Sequence, residues 1–158
     1  MVLRVGVLTV SDRVSRGEME DRGGSSIEAV LNGPEFEVTR TGTVPDEVDL
    51  IADTLAAWAD EGLDVILTTG GTGLGPRDVT PDATQRVATR LVPGIAEALR
   101  IDGQKQTPHA MLSRGVAALR GTTLIVNLPG SPGGARDGAE LLCGVLPHAI
   151  SILHGGRH

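Results

Sequence analysis

Four short apolar runs, separated by segments of helical periodicity, predict a three-layer α/β domain with helices on both faces of a mostly parallel sheet. Two further observations agree. The runs are nearly continuous, as strands covered on both faces require, and strand and helix signals alternate without an internal repeat across residues 1–158, which read as a single domain. "LRVGVLTV" (3–10) is a buried strand, "FEVTRTGTV" (36–44) a strand polar on one face, and "LDVILTT" (63–69) and "TTLIVNL" (122–128) are two more buried strands. In "PDEVDLIADTLAAWADEG" (45–62), Val48, Ile51, Leu55 and Trp58 recur at helical spacing, Asp46 stands at the N-cap position and Gly62 ends the element. Helices are also predicted over 25–31, 81–91, 94–102 and 135–153, the last broken or kinked at Pro147.

In such a sheet the crevice for small molecules lies beyond the carboxyl ends of the strands. The four strands run into "TVSDR" (9–13), "TVPDE" (43–47), "TTGGTG" (68–73) and "NLPGSPGG" (127–134), so hydroxyls, carboxylates and glycine-opened backbone meet at one edge. The loop "GGTGLGPRDVTP" is the most distinctive of these. It is not a nucleoside-triphosphate P-loop, because Gly75 is followed by Pro76 and Arg77 in place of Lys-Ser/Thr, and a dinucleotide fingerprint starting at Gly71 and Gly73 fails at Pro76. A tight turn and an anion-binding nest of glycine amides both remain open. After it, Thr80 is positioned to cap a helix, Pro81 suits the first turn and Asp82 complements the helix dipole.

Asp46 and Asp78 each have two readings. Asp46 is either a helix cap or a functional carboxylate. Asp78 lies ahead of the Thr80 cap and on the glycine loop itself, so capping explains it less well, and two such carboxylates facing phosphate would bracket a Mg²⁺. In "LSRG" (112–115), Ser113 and Arg114 are either an ordinary element end or a hydroxyl and a guanidinium fork for phosphate oxygens. "NLPGSPGG" is either a plain turn or a second anion seat on Ser131 and the amides of the following helix.

Composition narrows the field. The net charge of −6, with one lysine and thirteen dispersed arginines, argues against a nucleic-acid partner. Phe36 and Trp58 alone offer no stacking platform for single strands. No apolar run reaches the ~18 residues of a membrane span, and "MVLRVGVLTV" becomes strand-like at once and has no signal cleavage site. Together with a lone cysteine, Cys143, this makes a reducing, cytoplasmic compartment the expectation. Cys143 reads as a small core residue, and His109, His148, His154 and His158 lack zinc spacing and read as capped or solvent-exposed.

Taken in order, "SDR", "PDE", "TTGGTGLGPRDVTPDAT", "PG", "LSRG" and "NLPGSP" resemble the MogA/MoaB family of molybdenum-cofactor biosynthesis over essentially the whole chain. The resemblance implies a molybdopterin-binding domain that assembles into homotrimers or hexamers. It also implies, in active members, transfer of AMP from Mg-ATP to the terminal phosphate of molybdopterin with release of pyrophosphate. The product then passes to a separate molybdenum-inserting protein. Matched by motif, the catalytic and Mg²⁺-holding acids are Asp46 and Asp78. Substrate contacts fall on Ser11 and Asp12, on Gly70, Gly71, Thr72 and Gly73, on Thr80, on Ser113 and Arg114, and on Pro129, Gly130 and Ser131. The chain lacks the insertion of the longer branch after "PGSP" and resembles the shorter MoaB branch, some members of which do not adenylylate and serve as carriers. Intact Asp46 and Asp78 favour activity. Because a phosphate monoester is largely dianionic at neutral pH, the two acids are expected to position metal and phosphate rather than to move a proton, with Arg13, Arg77 and Arg114 offsetting charge.

Overall fold

The structure, a computed structural model, describes residues 1–157, so the expectation for His158 lies outside the described residues. Its elements run β1 (Leu3–Val10), α1 (Asp12–Ser15), α2 (Arg22–Val30), β2 (Phe36–Val44), α3 (Val48–Asp60), β3 (Val65–Thr69), α4 (Thr80–Val87), β4 (Arg90–Leu91), α5 (Pro93–Gln104), a 3₁₀ turn (Pro108–Leu112), β5 (Ala117–Arg120), β6 (Thr123–Leu128), α6 (Pro132–Cys143) and α7 (Leu146–Leu153). The sheet order is β2-β1-β3-β6-β5-β4, parallel from β2 to β6, with β5 antiparallel to both of its neighbours.

The apolar runs become the central strands because both faces are covered. Leu3, Val5 and Val7 of β1, Val65 and Leu67 of β3, and Leu124 and Val126 of β6 pack with Ile27 of α2, Ala135, Ala139 and Leu142 of α6 and Ile150 of α7. The intervening residues Leu8, Val10, Ile66 and Ile125 pack on the other face with Ile51 and Leu55 of α3 and Ala83 of α4. This period of two assigns one core to each face of the sheet.

The helix expected over 81–91 stops at Val87, and Arg90–Leu91 instead pairs with β5 as an edge strand. The 135–153 helix divides after Cys143, and Pro147 sits in the first turn of the second piece, where its missing N–H costs nothing. α2 starts three residues before its expected boundary because Asp21 caps it through Gly24 N. β5 has no counterpart in the expectation: its four residues pair with β6 across a turn at Gly121 (φ 57°), a signal too short to separate from a loop.

Two cap assignments are corrected. Asp46 does not cap α3: the N-cap position is Glu47, which makes no side-chain cap bond, and the Asp46 carboxylate turns instead to the first turn of α1. Thr80 is the first residue inside α4 rather than its cap, and its buried hydroxyl donates to Gly70 O (2.9 Å).

Candidate active site

The chain leaves β1 to form β2 on one side and returns to form β3 on the other, so the strand order reverses between β1 and β3 and a crevice opens beyond their carboxyl ends. A cleft of ≈620 Å³ lies there, walled by Val10 and Ser11, by Gly70 and Gly71, and by both Asp46 and Asp78. The two acids come from different crossovers and face one space.

The glycine loop is built for close approach. Gly70 (φ 98°) and Gly71 (φ 69°) take left-handed backbone, which side-chain-bearing residues enter at a cost. A Cβ at Gly70 would run into the carbonyl of Val10, and one at Gly71 would meet the Thr80 hydroxyl and stand 3.1 Å from Asp46 Oδ1. Bare backbone therefore brings the loop against the end of β1, the start of α4 and the acid of the neighbouring crossover. Within the loop, Gly75 N donates to Asp78 Oδ2 (2.9 Å), and Asp78 N donates to Gly75 O (3.0 Å).

Asp46 is held reciprocally. Asp12 N donates to Asp46 Oδ2 (2.9 Å), while Asp46 N donates to Asp12 Oδ1 (3.0 Å). Arg77 closes the arrangement with a two-pronged pair on Asp12, at 3.0 and 2.9 Å. The charges then separate. The Arg77 guanidinium and the Asp46 amide hold the Asp12 carboxyl below its ordinary value. Burial, together with the negative charges of Asp12 and Asp78, pushes the Asp46 carboxyl above its own. Ionised Asp46 is thus a strained charge that a cation beside it would relieve. Among the described residues, no three His, Cys, Asp or Glu side chains gather as a metal cage. Asp46 and Asp78 line the same cleft, and their hard carboxylate oxygens are of the kind Mg²⁺ takes, with phosphate and water to complete its shell.

The remaining sequence-derived residues divide. Ser11 lies on the cleft but caps α1, accepting from Val14 N (3.2 Å). Gly130 also lines the cleft. Thr72, Gly73, Ser113, Pro129 and Ser131 line a second cavity of ≈740 Å³ on the far side of the loop, between α5, the 3₁₀ turn and α6. Ser131 caps α6 there through Gly134 N, and Ser113 Oγ accepts from Gly115 N (3.2 Å). Thr80 is fully buried and lines neither space. Arg114, open between a phosphate fork and an ordinary element end, directs Nε and Nη2 to the protein: Gly73 O (3.0 Å), Asp78 O (2.6 Å) and Asp82 Oδ2 (3.0 Å).

Sequence reasoning passed over Asp21, which lines the cleft while accepting from Thr9 Oγ1 (2.8 Å) and from Gly24 N (2.9 Å). "EDRGGSS" carried a readable cap signal, Asp before a helix start, but nothing in it placed that cap at the end of β1. Asn127 was also passed over. It is buried in β6, donates to Thr68 Oγ1 (3.1 Å) and Thr84 Oγ1 (3.0 Å) and accepts from Val116 N (3.1 Å), tying β3, α4 and the irregular segment ahead of β5 together.

Comparison with known proteins places this geometry among relatives. Residues 6–148 match a family model described as a probable molybdopterin binding domain. A molybdopterin adenylyltransferase of Helicobacter pylori is 40% identical, aligned over 97% of this chain and 89% of its own length. The crystal structure of the molybdopterin biosynthesis enzyme MoaB from Thermus thermophilus superposes with a TM-score of 0.92 at 55% identity, covering 98% of each chain. A bifunctional molybdenum cofactor biosynthesis protein of Chlorobaculum tepidum is 39% identical over 98% of this chain, which spans 50% of that relative.

Proposed function

Because the chain belongs to the MogA/MoaB family of molybdopterin-binding domains, we propose that it is a molybdopterin adenylyltransferase of cofactor biosynthesis, using ATP and Mg²⁺. The observation that carries this reading is that Asp46 and Asp78, from different crossovers, line one cleft at the switch point of the sheet, each fastened through one oxygen by a backbone N–H. In the reaction, an oxygen of the pterin phosphate bonds to the α-phosphorus of ATP while the bond from that phosphorus to the bridging oxygen breaks, and pyrophosphate leaves with the electron pair. The attacking monoester is largely dianionic at pH 7, so no side chain has to remove a proton. Asp46 and Asp78 would hold Mg²⁺, which neutralises charge on the transferring and leaving phosphates when bound.

The chain's own contribution is placement. Asp12 keeps Asp46 in register, and the glycine loop brings Asp78 up to it. The loop also lines both the acidic cleft and the second cavity, which would give two ring-bearing substrates separate seats. No helix among the described residues is long and apolar enough to cross a membrane. The reading includes a cytoplasmic setting, hand-over to a separate molybdenum-inserting protein, and self-association as a trimer or hexamer. Exposed Leu91, Ile101, Met111 and Leu112, on the successive elements β4, α5 and the 3₁₀ turn, support the last of these, which sedimentation would measure.

Incubation of the purified protein with molybdopterin, ATP and Mg²⁺, followed by mass analysis, tests the proposal. Adenylyl-molybdopterin and stoichiometric pyrophosphate are the expected products. Retention of pterin without AMP transfer would overturn the enzymatic reading and leave a carrier.

A further inference from the structure

Arg114 stands where a phosphate-reading fork was expected, yet its hydrogen bonds run to the glycine loop. Nε donates to Gly73 O, Nη2 to Asp78 O and to Asp82 Oδ2, and its own amide donates to Thr72 O (2.8 Å). One residue, arriving from the segment ahead of β5, thus grips the loop at Thr72, Gly73 and Asp78 and reaches the first turn of α4. The stretch it spans has no regular secondary structure, carries Gly73 and Gly75, and exposes Leu74 to Arg77. Such backbone opens easily unless it is tied from outside. The bond that fastens the Asp78 carboxylate comes from Gly75 N, which lies on the same loop and moves with it. That bond orients the carboxylate within the loop; from outside, the loop is tied by Arg114 and by the Arg77 pair with Asp12, in which the arginine is largely exposed.

We infer that Arg114 is a positioning residue: by holding the main-chain carbonyls of Gly73 and Asp78 it sets the Asp78 carboxylate in the cleft it shares with Asp46, and it serves turnover without reading either substrate. This rests on the adenylylation proposed above. The ion pair with Asp82 is the lesser part, because both side chains are substantially exposed, at 38% and 51%, and such pairs contribute little. A lysine cannot take over, since one flexible ammonium lacks the planar fork that spans separate carbonyls.

The test compares Arg114→Ala, Arg114→Lys and Asp82→Asn in steady-state AMP transfer. For Arg114→Ala a kcat loss of about 100-fold is expected, the cost of a misplacement near 1 Å, with KM for ATP and for molybdopterin each within about threefold of the parent. Millimolar guanidinium should restore part of that kcat, Arg114→Lys should stay close to Arg114→Ala, and Asp82→Asn should keep kcat within about threefold of the parent. A rise of about tenfold or more in either KM with kcat retained would overturn the inference, as would an Asp82→Asn loss equal to that of Arg114→Ala. Hydrogen exchange provides a readout independent of activity. The hydrogen-bonded amides of Gly75 and Asp78 should exchange at least about tenfold faster in Arg114→Ala, with the central strands unchanged. Unchanged exchange there would overturn the inference even in an active enzyme, whereas a parent protein that shows this exchange difference and transfers no AMP would overturn only the proposed reaction.

Discussion

Replacing Gly71 by alanine tests the packing logic of the cleft more sharply than removing a carboxylate would. The left-handed backbone at φ 69° costs an alanine about 1–2 kcal/mol. The new methyl also meets the Thr80 hydroxyl, whose bond to Gly70 O is buried, and displacing it costs about 1 kcal/mol more, with residual crowding beyond that. The sum is about 2–4 kcal/mol, or about 6–12 °C in Tm for a domain of this size. Gly121→Ala is the matched control. Its φ is 57° and its Cβ would meet nothing within 4 Å, so only the backbone contribution remains, worth about 3–6 °C. Calorimetry on the two variants isolates the crowding by difference. Because the same methyl would stand 3.1 Å from Asp46 Oδ1, Gly71→Ala should also lose about 100-fold in AMP transfer, while Gly121→Ala keeps its rate. Equal loss of stability in both variants, or a parent-like rate in Gly71→Ala, would refute the account of why this loop is bare.

Asp78→Asn keeps an acceptor for Gly75 N but loses its charge, so AMP transfer should disappear while molybdopterin binding, followed by fluorescence, stays near that of the parent; a folded variant that loses both equally would remove Asp78 from the chemistry. Asn127→Ala removes the donor to the Thr68 and Thr84 hydroxyls and leaves the Val116 amide without its acceptor, and denaturant titration should show a loss of about 2–4 kcal/mol with an unchanged m-value. Burial, with Glu140 and Glu35 nearby, pushes the Cys143 thiol up, so alkylation of the native protein at pH 8 should run at least about tenfold slower than alkylation of the unfolded chain, and Cys143→Ala should transfer AMP normally.

The parallel core was legible because each buried strand is a near-continuous apolar run, and burial on both faces imposes that pattern locally. "LSRG" and "PDE" were legible only as residue types. A guanidinium next to a serine reads equally as a phosphate fork or an ordinary element end, and the chain neighbours of Arg114 do not include the carbonyls of Gly73 and Asp78 that it holds. Asp46 looked like a cap because it precedes an amphipathic helix, but the amide it meets is that of Asp12, 34 positions earlier in the chain. Asp21 likewise became a wall of the cleft only once α2 was laid against the end of β1.

The amino-acid sequence by itself determined the α/β layering, the parallel strands and the glycine-rich turn after β3, since propensity, periodicity and φ preference act over a few neighbouring residues. Only the tertiary structure decided which carboxylates face one another, which arginine braces the loop and which hydroxyls merely cap helices. Those outcomes depend on crossovers that bring distant segments within 3 Å, where hydrogen-bond direction and local charge, rather than residue type, assign the role.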